Sequence, residues 1–296
     1  MSDISSRYCC RQINSDPILS TTSLLFGDSA ALLDVTSGPD LGDPYSAPPK
    51  KRPFLEEVGR TPDHLKIDFL SRIPETWNEK TDLHPDCKNA VKDAAQLCQS
   101  LGHIVEEIDP EQLGSSQIVQ AFGIVWCCLV GHIITYWEKE LGKNIKKDEL
   151  EFMNWDDYQH GLENITGADL LVAQEEIQRF SRKIARWHND GGYDLLLSPT
   201  MRIPPSKLGA FEATSEAPQK WLDLTRSFIS FTRIQNLTGQ PAMSVPLLWN
   251  ENSIPIGVQF AGRFGDEATL FRLAGQLEQT RPWSNKKPPI HCDNEP

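Results

Sequence analysis

An α/β fold is the class of structure that this sequence predicts, and three features of the chain indicate it. LKIDFL (65–70) and HIVEEI (103–108) alternate like strands, and the stretch between them has the apolar period of a helix. A strand, a helix and a second strand in that order imply a parallel pair joined by a right-handed crossover. Further along, YDLLLSPT (193–200), AMSVPLLW (242–249) and IGVQFAGRF (256–264) read as strands between helical or turn-forming segments. Strands that alternate with helices are typical of an α/β domain.

The helices are predicted from their apolar period and from the residues at their ends. The helix of the crossover has Pro85, which suits a first helical turn, and Gly102, which suits a C-terminal cap. Asp266 is expected to cap the last helix, DEATLFRLAGQLEQ. Three more helices are predicted, over residues 23–38, from about Ala168 to His188 and from about Gln219 to Arg233.

One segment, AFGIVWCCLVGHIITYW (121–137), has the composition of a membrane span. It holds seventeen residues without a formal charge, it contains His132, and it is the only run of this kind in the sequence. A helix that crosses a bilayer needs about 20 apolar residues, so this run is at the short limit. We therefore predict a buried helix of a soluble domain, with His132 as a core histidine.

The connections are marked by glycine, proline and asparagine. GPDLGDPYSAPPKKRP (38–53) is predicted to be a surface connection, and WNENSIP is predicted to join two strands as a hairpin. In FTRIQNLTGQPAMSVP (231–246), Asn236, Gly239 and Pro241 predict a sharp turn that feeds a strand. Turns of this kind often carry function, because a rigid scaffold presents them.

The composition excludes several classes of protein. The 29 basic and 41 acidic residues give a net charge of −12, which argues against nucleic-acid binding and against docking on an anionic membrane. The seven cysteines include no CxxC pair, and the N-terminus lacks the apolar core of a secretory signal, so a cytoplasmic protein with free thiols is expected. The seven histidines are scattered singly, without HExxH or zinc spacing, and no metal site is predicted.

Standard nucleophile and phosphate-binding motifs are missing from the sequence. It contains no GxSxG, no Walker A loop and no GxGxxG. Gly114, Ser115 and Ser116 occur together but precede an apolar helix, so we interpret them as a helix cap. Asp156 and Asp157 are adjacent rather than facing, which favours an exposed acidic loop over a pair of catalytic carboxylates.

Several segments together resemble the C-terminal portion of the amidase signature family. Their order and separation carry the resemblance, which spans roughly residues 26–284: GDSAALLDVTSGPDLGDPYSAPP, HPDCKNAVKDAAQLCQSLGHIVEEI, YDLLLSPT, FTRIQNLTGQPAMSVP, IPIGVQFAGRFGDEATLFRLAGQLE and RPW. The resemblance implies a partial amidase-signature fold, a mixed sheet flanked by helices that lacks the N-terminal half of the core. It divides the chain into an irregular arm (1–20), a partial amidase domain (21–284) and an irregular tail (285–296).

The resemblance also implies a chemistry and shows which residues for it are missing. Family members hydrolyse carboxamides with a nucleophilic serine, a second serine on a cis peptide and a lysine base, and a Gly-Gly-Ser-Ser-Gly segment carries the nucleophile. In this sequence no such segment precedes residue 26, and the first lysine is Lys50. Ser5, Ser6 and Ser15 lie in a polar arm without the glycines. We therefore expect no catalytic residue of the family triad in this chain.

What the resemblance does carry over is a substrate pocket. It implies that Thr200, Asn236, Thr238, Gly239 and Pro241 line or shape the pocket, with Ser244 and Gln259 on nearby strands. For each residue a purely structural role stays open: Gly239 as a turn, Asn236 as a helix cap, and Gln259 as the partner of a buried backbone group. The expected ligand is a small amide or carboxylic acid, with no cofactor.

Three hypotheses follow. In the first, the chain is an incomplete amidase. In the second, it is a binding or regulatory homologue that keeps the pocket and does not catalyse. In both, a second chain that covers the open sheet edge is an expected partner. In the third, it hydrolyses amides with another nucleophile such as Cys127 or Cys128, which we disfavour because their apolar surroundings oppose a thiolate.

Overall fold

A mixed sheet forms the centre of the protein. The computed structural model describes residues 25–286 apart from 40, 44–45, 78–81, 212–223, 226–227 and 229. Within them the sheet has five strands in the order β2-β1-β3-β5-β4. The strands are β1 (Lys66–Phe69), β2 (Ile104–Glu107), β3 (Leu195–Pro199), β4 (Ala242–Trp249) and β5 (Pro255–Ala261). Strand β1 runs parallel to both β2 and β3, whereas β5 runs antiparallel to both β3 and β4.

Helices cover both faces of this sheet. They are α1 (Phe26–Thr36), α2 (Phe54–Val58), α3 (Pro85–Ser100), α4 (Ser116–Leu141), α5 (Phe152–Glu163), α6 (Gly167–Gly191), α7 (Arg233–Thr238) and α8 (Glu267–Thr280). Helices α3 and α8 pack on one face, where they enclose Ile67, Leu197 and Phe260. Helices α4, α6 and α7 cover the other face, over Leu70 and Leu196. Because successive strand residues point to opposite faces, the central strands β3 and β5 contribute to both cores.

The predicted crossover is confirmed. Strands β1 and β2 are parallel, with Ile67 opposite Val105, and α3 connects them. Pro85 occupies the first turn of α3, and Gly102 follows the helix with a φ of 91°, a left-handed conformation that favours glycine. The α/β class and the mixed sheet between helical layers are therefore as expected.

The predicted hairpin and the last helix cap are also confirmed. Between β4 and β5, the Asn250 side-chain oxygen accepts hydrogen bonds from the backbone N–H groups of Asn252 and Ile254. This side chain closes the turn in the way that asparagine commonly does. At the start of α8, the Asp266 carboxylate accepts from the backbone N–H of Thr269.

Helix α4 is longer and less buried than the sequence predicts. It extends over Ser116–Leu141 and is the one helix, among the described residues, that is long and apolar enough to cross a membrane. It packs instead against α5 and α6. The prediction of a buried helix is wrong for its outer face, where Trp126 and Trp137 are each 46% exposed, and His132 is an exposed residue rather than a core histidine. An uncharged run in the sequence therefore indicates an apolar helix, but the packing of neighbouring helices determines which face of that helix is buried.

The segment 231–241 also differs from its prediction. We expected a helix to end near Arg233 and a turn to follow, but residues Arg233–Thr238 form α7, which ends at Gly239 with a φ of 70°. Gly239 thus ends α7 in a left-handed conformation and β4 begins at Ala242, so the predicted turn into a strand is present and only the end of the preceding helix was misplaced. The N-terminal part of the predicted helix 219–233, the arm 1–20 and residues 287–296 of the tail lie outside the described residues.

Candidate functional site

A row of polar side chains crosses three strands on one face of the sheet. Ser198 in β3 pairs with Gln259 in β5, which pairs with Ser244 in β4. Opposed residues of neighbouring strands share a face. Their sequence neighbours Leu197 and Val258 belong to the core under α3 and α8, so the three polar residues lie on the opposite face. We call Ser198, Gln259 and Ser244 the polar row. It passes from a buried centre at Ser198 and Gln259 to an exposed edge at Ser244.

At the exposed end of the polar row, two hydroxyl groups meet. Thr200 follows β3, and its Oγ1 lies 2.7 Å from Ser244 Oγ. Gly257 lies beneath this pair, because a β-carbon at that position would be 2.9 Å from Ser244 Oγ and 3.1 Å from Thr200 Oγ1. The backbone N–H of Thr200 donates a hydrogen bond to the carbonyl oxygen of Gly257 at 3.2 Å. The missing side chain of Gly257 thus leaves space for the hydroxyl pair.

At the buried end, two glutamine side chains are joined. Gln259 Nε2 donates to Gln235 Oε1 at 3.0 Å and lies 3.5 Å from Ser198 Oγ. Gln235 comes from α7, which packs over this face of the sheet. Both glutamines are buried, and Gln235 Nε2 is a buried donor with no hydrogen-bond partner among the described residues.

A third set of hydrogen bonds fixes the loop between α7 and β4. Thr238 Oγ1 lies 2.9 Å from the carbonyl oxygen of Ile234 and 3.0 Å from Gln240 Oε1, and these two acceptors share its single proton. Gln240 Nε2 lies 2.8 Å from His188 Nε2 and 2.7 Å from the carbonyl oxygen of Gly262. His188 Nδ1 lies 2.9 Å from the carbonyl oxygen of Tyr193. The imidazole must therefore donate from Nδ1 and accept at Nε2. Burial lowers the pKa of His188, which agrees with this neutral form.

The structure separates the seven predicted site residues into three groups. Thr200, Ser244 and Gln259 lie together on the sheet face, as their strands bring them there. Thr238, Gly239 and Pro241 build the adjoining loop, in which the Pro241 carbonyl accepts from the backbone N–H of Gly262. The seventh residue, Asn236, is an exposed residue inside α7 and does not cap it. Whether these residues bind a substrate stays a prediction.

Sequence reasoning missed Ser198, Gln235 and Gly257. Two of them had a readable signal, because Ser198 and Thr200, like Gly257 and Gln259, are two residues apart in strands and so share a face. Gln235 had none. Its contact with Gln259 depends on how α7 packs against the sheet, and the two residues are 24 positions apart in the sequence.

Two cysteines and two serines outside the polar row, Cys127, Cys128, Ser115 and Ser116, lack the surroundings of a nucleophile. Burial raises the pKa of Cys127 to about 12, and it raises the pKa of Cys128 as well, so both thiols stay protonated. The hydroxyls of Ser115 and Ser116 lie near Gln117 Oε1, at 3.2 and 3.4 Å, while Lys183 donates to the carbonyl of Gly114. Ser115 is the residue before α4, as predicted, although its side chain makes no capping hydrogen bond.

Comparison with known proteins identifies the family to which this chain belongs. The chain matches the Amidase family over residues 25–271. It is 29% identical over 268 residues to the 6-aminohexanoate-cyclic-dimer hydrolase of Paenarthrobacter ureafaciens, covering 89% of this chain and 53% of the relative. It is 28% identical to a putative amidase of Synechocystis sp., covering 85% of this chain and 45% of that protein.

Solved structures agree with this assignment. The structure of 6-aminohexanoate cyclic dimer hydrolase complexed with substrate superposes with a TM-score of 0.78 at 29% identity, covering 88% of this chain and 54% of the other. A bacterial aryl acylamidase of the amidase signature family has the same fold, with a TM-score of 0.67 at 19% identity over 88% of this chain and 52% of that one. The fold is thus that of the amidase-signature enzymes. This chain belongs to the amidase family, and it spans about half the length of the curated relatives it matches.

Proposed function

We propose that these residues form the substrate-binding half of an amide hydrolase, and that the chain of 296 residues binds carboxamides without hydrolysing them unaided. The observation that carries the binding is the hydroxyl pair of Thr200 and Ser244 at the exposed end of the polar row. A carboxamide presents one carbonyl acceptor and N–H donors, and hydroxyl groups, which both donate and accept, can match both. The relatives that are 29% identical act, by name, on a cyclic dimer of 6-aminohexanoate, which is a cyclic diamide.

The absence of unaided hydrolysis rests on the chemistry of the hydroxyl groups. A serine or threonine hydroxyl becomes a nucleophile only when a base takes its proton. Thr200 and Ser244 bond to each other, and no histidine or lysine contacts either hydroxyl in the described part of the chain. We therefore propose that the reacting serine and its base come from outside these residues, either from more of the same polypeptide or from a second chain.

The outer edge of strand β4 supports the proposal that a further segment completes the site. Strand β4 lies at the border of the sheet, its outer edge pairs with no strand among the described residues, and its first residue, Ala242, is exposed. Exposed strand edges are sites where further strands add. Reading the coding sequence beside these residues tests the source: a lysine and a Gly-Ser-Ser-Gly segment there support the incomplete amidase. Their absence, with a soluble monodisperse chain, favours the non-catalytic binding homologue instead.

Calorimetry tests the binding itself. The chain is titrated with the cyclic dimer of 6-aminohexanoate, and with a diamine analogue in which both carbonyls are replaced by methylene groups. We expect saturable binding of the diamide and at least about tenfold weaker binding of the diamine, since the latter has no carbonyl acceptors. Equal affinities, or no binding of the diamide, would contradict the proposal.

Substitution of Gly257 with alanine gives a more local test. The new β-carbon would crowd the Ser244 and Thr200 hydroxyls. Both are flexible side-chain ends, so we expect them to move apart, amide affinity to fall about tenfold, and the free energy of unfolding to change by less than about 1 kcal/mol. Calorimetry and denaturant unfolding measure the two effects.

Gly262→Ala is the matched control for this substitution. Its β-carbon would meet its nearest neighbours at 3.5 to 3.6 Å, which is ordinary contact distance. Equal loss of affinity in both variants would show that the hydroxyl pair is not the binding group.

A further inference from the structure

The amide group of Gln235 has one hydrogen bond that defines its orientation. Its Oε1 accepts from Gln259 Nε2 at 3.0 Å. Ser198 Oγ donates to the carbonyl oxygen of Pro199 at 3.2 Å, so it accepts from the Gln259 amide nitrogen 3.5 Å away, which identifies the nitrogen of that amide. The opposite orientation of Gln235 would therefore bring two N–H groups together. The oxygen of Gln235 therefore faces Gln259, and its NH2 group faces away.

That NH2 group is the unusual feature. The Gln235 residue is 7% exposed, and its Nε2 is buried without an acceptor among the described residues. An unsatisfied buried donor is unfavourable, and most such groups in native proteins are paired. The neighbouring polar side chains differ in this respect, because the Gln240 amide is within hydrogen-bonding distance of both Thr238 and His188. Gln235 therefore has a hydrogen-bond donor that no described residue accepts from.

We propose that Gln235 is a specificity-determining residue of the substrate site, whose Nε2–H group donates to a carbonyl oxygen of an amide substrate. This inference rests on the proposed function, because it assigns one recognition contact within that site. Gln259 is the positioning residue, which holds the Gln235 carbonyl and so aims the NH2 group. The site then selects substrates that carry a second carbonyl beyond the bond to be cleaved, as a cyclic diamide does.

The test compares Gln235→Met with Gln259→Met by calorimetry with the cyclic dimer of 6-aminohexanoate. Both variants lose the same hydrogen bond between the two glutamines, but only Gln235→Met loses the donor. We expect affinity to fall about tenfold for Gln235→Met, which corresponds to one neutral hydrogen bond, and only two- to threefold for Gln259→Met. Gln99→Met is the control, because Gln99 donates to the carbonyl of Val105 on the opposite face and its loss should leave affinity unchanged.

The outcomes separate this inference from the proposed function. Wild-type binding with equal losses in the two glutamine variants would overturn the role of the Gln235 donor and leave amide binding in place. No wild-type binding of the cyclic diamide would overturn both. Titration of Gln235→Met with the diamine analogue gives a further check: its affinity should equal that of the wild type, because the analogue offers Gln235 no carbonyl. A lower affinity for the diamine would show that the substitution damages the site generally.

Discussion

Replacing Asp68 with asparagine is expected to raise the free energy of unfolding by about 2–4 kcal/mol at pH 8, and by less than about 1 kcal/mol near pH 4. Asp68 lies in the middle of β1, fully buried, and neither carboxylate oxygen has a hydrogen-bond partner among the described residues. Burial, and then the neighbouring carboxylate of Glu106, raises the pKa of Asp68 from 3.8 to about 7. Asparagine removes the charge and keeps the shape.

The direction of this effect follows from proton binding. Between pH 4 and pH 7 the folded protein holds a proton on Asp68 that the unfolded chain has released, because the pKa is raised in the folded state. The penalty for burying the carboxylate therefore grows as the pH rises and is complete above about pH 7. Urea unfolding of both proteins across this range measures it. Asp63→Asn, at an exposed position on the same segment, is the control and should leave the curve unchanged. A gain at pH 8 no larger than the gain at pH 4 would contradict the assignment.

Replacing His188 with leucine is expected to cost about 2–5 kcal/mol, because the carbonyl of Tyr193 and one N–H of Gln240 lose their buried partner. Replacement with glutamine should cost much less, since its amide can donate to Tyr193 and accept from Gln240. Chemical unfolding at pH 7.5 compares the three proteins. Equal costs for leucine and glutamine would show that packing, and not the hydrogen bonds, explains the effect.

His188 is also expected to make the folded protein less stable in acid. Burial lowers the pKa of His188, and the positive charge of Arg263 lowers it further, against opposing effects of the Tyr193 carbonyl, Asp194 and Asp266. As the pH falls through about 6.5, the unfolded chain therefore binds a proton at His188, whereas the folded protein keeps this imidazole neutral. The stability is complete above about pH 6.5 and falls as the pH drops below it. His188→Gln should flatten this fall between pH 7.5 and pH 5, and an unchanged fall would rule out His188 as its source.

The parts of the fold that the sequence predicts are those fixed by local chemistry. Pro85, Gly102, Asn250 and Asp266 each act on backbone groups within a few residues, so their roles can be read from their positions. The alternation of β1 and β2 predicts strands, because the side chains of a strand point to opposite faces and so repeat every two residues. These features were sufficient for the crossover, the hairpin and the α/β class.

The parts that the sequence does not predict depend on contacts between distant segments. Helix α7 extends beyond the expected helix end near Arg233, because the residue that ends it is Gly239. The outer face of α4 stays exposed because its packing partners, α5 and α6, cover only one side of it. In the candidate site, Thr200, Ser244 and Gln259 were found through the family resemblance, whereas Gln235 became visible only when α7 was placed over the sheet.

The most direct measurement of the central claim is release of ammonia or amine by the purified chain from a panel of aliphatic and aryl amides, together with the cyclic dimer of 6-aminohexanoate. The hydroxyls of the site contact no histidine or lysine among the described residues, and we proposed on that ground that the reacting serine and its base come from outside them. We therefore predict binding of the cyclic diamide with no release above a matched control. Release that exceeds the control and disappears in the double variant Thr200→Val, Ser244→Ala would contradict the account, because it would place a working nucleophile in this chain.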